Sequence, residues 1–450
     1  MYRGVCVRTA GASFFSLLLV MSGNAAAQSA AAPGQAAQGH EGHEGQTAGQ
    51  EHTADQHAGH ATSMFSMGDA SGTALQPESS PMYALHGASG PWQLMLHGNA
   101  FLQYLDEGGE RGNDQAGSIN WVMLMGRREA VGGRVGFRSM FSLEPATIGG
   151  CGYPDMLATG EVCNDGPIHD RQHPHDFFME LAADYSRPIA DRVTWQVYGG
   201  PAGEPALGPA AYPHRTSALP NPLAPISHHW LDSTHITFGV VTTGIGTNRW
   251  KAEASLFNGR EPDEHRWDFD FAALDSYSGR VWFLPTSRWA VQFSAGHLND
   301  AEHDSETESH RDVNRATASV TYHRPLTDDG IWATTVAWGR NAETGVDATH
   351  AVLFESAATM RSTHAVFGRF EVAQKSSDDL AVPVFGQMFT VTKLQGGYTW
   401  YVREWRGWSP GIGATASASF VPNDLRPAYG SRVNGGFGVF LTLRPAAHKM

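Results

Sequence analysis

Apolar and polar residues alternate with a period of two from Trp92 onward, in segments of about ten residues. The clearest segment is 176–186, in which Leu181 falls on one side of the chain and Glu180 and Asp184 fall on the other. Successive side chains of a β-strand point to opposite faces, so one face of this segment suits lipid and the other suits water. The pattern predicts membrane-spanning strands.

The same alternation divides the rest of the chain into about 16 strands. The predicted strands are 92–105, 117–129, 131–143, 175–186, 192–200, 230–242, 248–258, 276–284, 288–297, 313–323, 331–340, 349–358, 363–373, 386–402, 409–420 and 432–443. Short connections fall near Ala130, Ile189, Gly244, Pro285, Pro325, Met360 and Gly407, and long ones near Gly109, Gly160, Ala210, Asp263, His303, Thr344, Asp379 and Asp424. Outer-membrane barrels have short periplasmic turns, long outer loops and both termini in the periplasm. We therefore expect an all-β fold, a transmembrane antiparallel β-barrel over residues 92–444, since a soluble β-sandwich does not require this alternation of connection lengths.

The last predicted strand carries Asn434, Gly436, Val439 and Leu441. This spacing of a polar residue, a glycine and two apolar residues resembles the terminal assembly signal of bacterial outer-membrane barrels. The chain thus resembles Gram-negative porin-like barrels as a class, and the resemblance implies a channel for small solutes in the outer membrane.

The start of the chain predicts export. Arg3 and Arg8 precede an apolar stretch over 14–21, and small residues at 25–27 provide a cleavage site. The apolar stretch is too short to span a bilayer as a helix, so residues 1–27 are expected to be a cleaved signal peptide.

Residues 28–82 are predicted to form a disordered periplasmic tail, because Ala, Gly, Gln, Ser and His dominate there and cannot build a core. Imidazole binds Cu, Ni and Zn, and thioether binds Cu(I). The tail therefore either captures metal loosely or acts as a solvated spacer with weak affinity. Its candidate ligands are His40, His43, His52, His57, His60, Met64 and Met67. This tail resembles the N-terminal region of the copper-resistance outer-membrane protein B family, which implies copper handling.

Two further histidine-rich segments each lead into a predicted strand, one hairpin apart, so they are expected to converge at the outer mouth of the barrel. Imidazoles with nearby carboxylates suit Zn or Cu, whereas the competing interpretation gives these residues ordinary hydrogen bonds to carbonyls and water. Strand parity turns His229 and His235 toward the lumen and His173 and His175 away from it, although Pro174 interrupts the phase. The candidate ligands are His169, His173, His175, Asp176, His228, His229 and His235.

The segment between these histidines, 199–225, is rich in Pro and Gly and has little charge, so it is expected to fold into the barrel as a constriction. In the preceding long loop, Cys151 and Cys163 are close in sequence, and we expect a disulfide rather than a zinc site.

Charged residues of both signs are predicted on the inner faces of the strands. They indicate either a polar pore without ion preference or charges that pair across a nearly closed lumen. The predicted inward residues are Arg128, Arg134, Arg138, Glu180, Asp184, Lys251, Glu253, Glu355, Arg369 and Glu371.

The formal net charge of −14 argues against a nucleic-acid partner. The expected function is a porin-like channel linked to copper handling, and the alternative is a closed barrel for metal binding or adhesion. The expected partners are outer-membrane lipid and small solutes or metal ions, Cu or Zn among them, with no cofactor required and a monomer or homotrimer left open. Ser227–His228 and Ser233–His235 supply residue types of a hydrolase, but neighbours on a strand face opposite ways, so an enzyme is not expected.

Overall fold

The computed structural model describes residues 68–160, 173–304, 309–326, 329–384 and 386–447. The predicted signal peptide and the histidines and methionines of the tail up to Met67 lie outside the described residues, as do Cys163 and His169. The predicted disulfide between Cys151 and Cys163 therefore stays a prediction.

The strands form one antiparallel sheet in which β2 to β17 each pair with the next strand, and β17 pairs back with β2. This closes a 16-stranded β-barrel, which confirms the predicted fold. The strands are β1 (Leu85–Ser89), β2 (Trp92–Glu107), β3 (Asn113–Ala130), β4 (Gly133–Phe141), β5 (Phe178–Ala190), β6 (Val193–Ala202), β7 (Val240–Gly246), β8 (Trp250–Phe257), β9 (Ser276–Phe283), β10 (Trp289–Asp304), β11 (Ser309–Leu326), β12 (Gly330–Glu343), β13 (Thr349–Met360), β14 (His364–Ser376), β15 (Met388–Tyr401), β16 (Trp408–Phe420) and β17 (Val433–Pro445).

In the part of the chain that the structure describes, three short α-helices lie in the connections: α1 (Glu144–Thr147), α2 (His228–Leu231) and α3 (Arg426–Tyr429). Within the described residues, no helix is long and apolar enough to cross a membrane. The short strand β1, which the sequence pattern did not reveal, pairs with the first part of β2 through Leu85↔Leu96 to Ser89↔Trp92.

Alternating burial along each strand separates an outer wall from a lumen. In β13, Leu353 and Glu355 are buried, while Val352 and Phe354 are 42% and 47% exposed. The outward residues are mostly large and apolar, so the wall is apolar outside and polar inside. Tryptophans stand at the end of the barrel with the short turns: Trp250, Trp289, Trp332 and Trp400.

The segment between β6 and β7, residues 203–239, folds into the barrel and is termed the lumen loop. Nearly all of it is buried, so the predicted segment 199–225 folds inside the barrel from residue 203 onward, while residues 199–202 belong to β6. That it acts as a constriction stays a prediction. The predicted strand 230–242 is wrong, because α2 and a 3-10 turn at Ser233–His235 occupy its first half and β7 begins only at Val240. Its apolar residues, such as Trp230, are buried in the interior instead of alternating across a wall. Helix α2 packs closely on β12, where a Cβ on Gly339 would lie 2.4 Å from the Trp230 carbonyl oxygen.

Residues 68–84, termed the strap, also lie in the lumen at the end with the short turns. Asp69 pairs with Arg127 at 2.7 Å, and the carbonyl oxygen of Thr73 accepts a hydrogen bond from Lys251 at 2.6 Å. Further along, Ser80 is fully buried and bonds His323 at 3.0 Å. The predicted disordered tail therefore extends too far at 28–82, because residues 68–82 are held by buried polar partners that composition does not reveal.

Most charges of the lumen are paired. Lys251 contacts Glu253 at 2.9 Å, and Arg369 contacts Glu355 at 3.3 Å. The inward prediction for Arg128 is wrong: its neighbour Arg127 is the buried residue, while Arg128 stacks over Trp92. These pairs favour the interpretation in which the charges neutralise one another inside a narrow lumen.

Candidate metal site in the lumen

Four histidines from the two predicted segments come together inside the barrel, and we term them the histidine quartet: His173, His175, His228 and His235. Their rings form a closed cycle with centroid separations of 4.8 Å (173 to 175), 5.2 Å (175 to 235), 4.9 Å (235 to 228) and 5.4 Å (228 to 173). All four are buried, and the Tyr212 ring lies within 6.1 Å of each. The segments thus converge as predicted, but deep in the lumen rather than at its mouth.

Three of these imidazoles use the same nitrogen to contact the surrounding protein. The Nδ1 atom of His175 lies 2.9 Å from Glu144 Oε2, and that of His228 lies 2.8 Å from Asp232 Oδ1. The Nδ1 atom of His235 lies 2.9 Å from the backbone carbonyl oxygen of Asp232. An Nδ1–H bonded to oxygen fixes the tautomer in which Nε2 carries the lone pair, and this is the usual arrangement around metal-ligating histidines.

The two carboxylates are themselves held in place. Asp232 Oδ2 accepts hydrogen bonds from Arg215 at 2.7 Å and from the backbone N–H of Tyr212 at 2.8 Å. Burial would raise the pKa of Asp232, but the adjacent Arg215 and His228 hold this pKa well below its usual value. Arg215 also contacts Glu355 at 2.7 Å, which ties the lumen loop to the wall of the barrel.

Glu144 stands at the start of α1 and is fully buried. Its carboxylate accepts hydrogen bonds from the backbone N–H groups of His175 at 2.8 Å and Asn120 at 3.2 Å. Burial opposes ionisation, yet the neighbouring His175 lowers the pKa of Glu144 below its usual value. Both carboxylates are therefore anionic acceptors near neutral pH, the state required to hold Nδ1–H groups.

One nitrogen of the quartet is buried without a partner in the part of the chain that the structure describes, and another contacts the Tyr212 hydroxyl, which lies 3.4 Å from Nε2 of His175. The Nε2 atom of His235 is buried and has no hydrogen-bond partner among the described residues. Burial, reinforced by His228 and His175, holds the pKa of His235 well below 6.5, so its imidazole is neutral. A neutral imidazole whose Nδ1 is held by oxygen suits Cu(II), Zn(II) or Ni(II) as a ligand through Nε2.

The structure separates His229 and Asp176 from the quartet. His229 points the other way from α2, with Nε2 2.6 Å from Glu302 and Nδ1 3.3 Å from Glu261. Burial would lower the pKa of His229, but these two carboxylates raise it to about 9. Although the three residues have ligand atoms within 4.8 Å of one another, this imidazole is protonated near neutral pH and forms an ion pair. Asp176 lies 3.4 Å from Arg266.

Strand parity misplaced the predicted ligands because none of the four quartet residues lies on a strand. His173 and His175 precede β5, and His228 and His235 lie in the lumen loop. Sequence reasoning also missed Glu144, Tyr212 and Asp232. The spacing of His228 and Asp232, four residues apart, brings them together only on a helix, so recognising α2 would have indicated the pair.

The serines of the hydrolase hypothesis have other partners. Ser227 donates its hydroxyl to Glu371 at 2.7 Å. Ser233 accepts a hydrogen bond from Arg315 at 2.8 Å. Both hydroxyls thus contact charged groups of the barrel wall.

No protein-family model matches this sequence, and neither does any curated protein. Among solved structures, the chain is similar to an anion-selective porin from Comamonas acidovorans, at 9% identity over 79% of this chain and 99% of that chain, with a TM-score of 0.47. It is similar to OmpF of Salmonella typhi at 9% identity over 80% and 100% of the two chains, with a TM-score of 0.48. It is similar to the outer-membrane channel DcaP of Acinetobacter baumannii at 8% identity over 79% of this chain and 98% of that chain, with a TM-score of 0.45. At these values the similarity transfers neither residues nor activity to this chain.

Proposed function

We propose that this protein is a narrow, porin-like channel of the outer membrane that binds a transition-metal ion, copper first, at the histidine quartet and conducts it. The observation that carries the proposal is the set of three buried imidazoles whose Nδ1 atoms are anchored on oxygen. Each of these rings has a carboxylate or carbonyl oxygen at Nδ1, the usual arrangement around metal-ligating histidines. Nε2 of His235 has no partner among the described residues, and Nε2 of His175 contacts the Tyr212 hydroxyl at 3.4 Å.

The wall of the barrel supports the membrane location. Leu102, Leu256 and Leu441 are 58%, 56% and 54% exposed on its outside, and similar residues follow on the neighbouring strands. A closed barrel with an outward apolar band and aromatic residues near its ends is the form in which β-structure crosses a bilayer. In water, so large an apolar surface would associate or aggregate.

The filling of the lumen favours an ion over a bulky solute. The lumen loop and the strap both occupy the interior, and a cavity between the strap and β2–β3 has a volume of about 80 Å³. That volume holds only a few water molecules. A stripped or partly hydrated metal ion fits such a path better than a sugar or peptide, and the quartet replaces the water ligands that the ion gives up.

Copper is the first candidate because Cu(II) binds nitrogen ligands more tightly than the other divalent first-row metals. The resemblance of the histidine- and methionine-rich tail to that of the copper-resistance family supports the same metal. The tail on the periplasmic side would then collect or release the ion that the lumen passes.

Metal binding is tested with the full-length protein refolded in detergent and titrated with Cu(II) and Zn(II). Wild type is compared with His228→Asn/His235→Asn, and with the control His265→Asn/His350→Asn, in which two exposed histidines are replaced. We expect the quartet variant to lose one tight equivalent that the control retains, together with the four-nitrogen Cu(II) signal in electron paramagnetic resonance. Equal stoichiometry in all three proteins would place the bound metal elsewhere and refute the quartet.

Conduction is tested in vesicles that contain the same three proteins and enclose a fluorescent Cu(II) chelator. Entry of Cu(II) into wild-type and control vesicles, but not into those with the quartet variant, supports the channel. If wild type binds one equivalent at the quartet and admits no ion, the channel is refuted and a closed metal-binding barrel is the function.

A further inference from the structure

Methionines also cluster on the inner face of the barrel. The cluster is formed by Met82, Met95, Met123, Met125, Met140 and Met179. Neighbouring strands place these residues opposite one another: Met95 pairs with Met125 across β2 and β3, and Met123 pairs with Met140 across β3 and β4. Directly opposed side chains have Cβ atoms about 4.5–5.5 Å apart, so the thioethers form a continuous surface.

Two histidines join this surface. His97 is opposite Met123, and its Nε2 lies 3.0 Å from the Met123 sulfur. The His214 ring lies 5.6 Å from His97 and 4.5 Å from Trp121. The Nε2 atom of His214 is buried and has no hydrogen-bond partner among the described residues. A buried nitrogen without a partner destabilises the folded protein, and a ligand that binds the nitrogen removes that cost.

Part of this surface lines the cavity of about 80 Å³ between the strap and β2–β3. Its wall includes Met82, Met95 and Met125 together with His97 and His214. Methionine often fills irregular gaps in cores, but here the gap is not filled, and its polar lining includes an unpartnered imidazole nitrogen. Thioether sulfur and imidazole nitrogen are the ligands that Cu(I) and its redox-inert analogue Ag(I) prefer.

We infer that this cavity is a second metal site, selective for a soft monovalent ion such as Cu(I). Its ligands are thioethers of Met95 and Met125 and the imidazole of His214, with Met82 closing it from the strap. The inference does not depend on the quartet, which shares none of these residues and has only nitrogen donors.

The position of the strap gives the site a connection to the tail. Met82 and Asp69, at the two ends of the strap, both line the cavity. In sequence, Met67 and Met64 precede the strap directly. A soft ion held by those tail residues would therefore be delivered to, or accepted from, the cavity at the end of the barrel with the short turns.

The test is Ag(I) binding by the full-length protein in detergent after its thiols have been alkylated, so that cysteine does not compete. Wild type is compared with Met95→Leu/Met125→Leu, which nearly preserves side-chain volume. The matched control is Met156→Leu/Met388→Leu, two methionines outside the cluster. We expect wild type and control to bind one more tight equivalent than the cluster variant, and Cu(II) binding at the quartet to be unchanged in all three.

A second measurement locates the ion and stays informative if the cluster variant fails to fold. Crystals of wild type grown with Ag(I) should give an anomalous peak between the sulfur atoms of Met95 and Met125 and Nε2 of His214. Equal Ag(I) stoichiometry in the two variants, or anomalous peaks in other places only, would refute the site.

Discussion

His228 and His229 are neighbours in sequence, yet they belong to two regions with opposite chemistry. His228 shares Asp232 with His235, and each of these rings contacts oxygen through Nδ1. His229 has a carboxylate at both nitrogens, Glu302 and Glu261. One acceptor per imidazole orients a neutral ligand, whereas two acceptors hold a proton on each nitrogen and make the ring a cation.

The difference shows that burial alone does not make a histidine a metal ligand. His229 is as buried as His228, and carboxylates lie beside both histidines. The ligand atoms of His229, Glu261 and Glu302 even lie within 4.8 Å of one another. The two histidines differ in the number of carboxylates that contact each imidazole ring. The following changes test that distinction in order of expected effect.

The largest effect is expected for Arg215→Met. Arg215 is the buried cation between Asp232 and Glu355, and its loss leaves Asp232 without its arginine and Glu355 with Arg369 alone. We expect the free energy of unfolding, measured with urea in lipid vesicles, to fall by about 3–5 kcal/mol. Arg260→Met is the control, because Arg260 forms partly exposed pairs with Asp275 and Asp300 that are worth at most about 1 kcal/mol. Equal losses in the two variants would contradict the role of Arg215.

Gly339→Ala should disturb both regions at once, because a Cβ at this position would meet the backbone of Trp230 in α2, the helix that carries both histidines. We expect a loss of about 1–3 kcal/mol in the free energy of unfolding from overpacking. Cu(II) affinity and the free energy of unfolding should fall together in this variant. The control is Gly345→Ala, at a loop position with a left-handed backbone and no atom near the added Cβ. We expect the control to lower stability and to leave Cu(II) affinity unchanged. Unchanged metal affinity in Gly339→Ala would mean that α2 does not position the quartet.

Glu144→Gln tests the orienting carboxylate of the quartet. The amide can still accept a hydrogen bond, but it no longer supplies the negative charge that strengthens Nε2 of His175 as a ligand. We expect Cu(II) affinity to fall by about 10–100-fold in titrations of the refolded protein, the usual effect of removing such a partner. An unchanged Cu(II) affinity would show that Glu144 does not orient a metal ligand.

The smallest effect on metal binding is expected for His229→Gln. This variant removes the ion pair with Glu302 and Glu261, which lies on the other side of α2. Affinity for Cu(II) should stay within about twofold of wild type, because mutations at sites that share no partners act independently. The free energy of unfolding should fall, because the ion pair is lost. A large loss of Cu(II) affinity would instead show that His229 belongs to the same metal site as the quartet.

Much of the fold could be predicted from the sequence, because a barrel strand is a local pattern. The alternation around Val352 and Phe354 in β13, and the turn and loop lengths between strands, report lipid on one side and water on the other without knowledge of the partners. The prediction failed at 230–242 because an apolar period-two pattern there reflects burial in the lumen rather than a wall. It failed at 68–82 because a polar segment can be held by buried charges from distant strands, as Asp69 is held by Arg127.

The sequence by itself determined the barrel and the residue types of the candidate site, since the histidines stand in two polar segments flanking the same hairpin. Only the tertiary structure decided which histidines meet, which nitrogen each presents, and that Glu144 and Asp232 orient them. The physical reason is the separation along the sequence of the residues that determine each feature. Alternation along a strand is set by neighbours two residues apart, whereas His175 and Glu144 are 31 residues apart in sequence and meet only when the loops fold into the closed barrel.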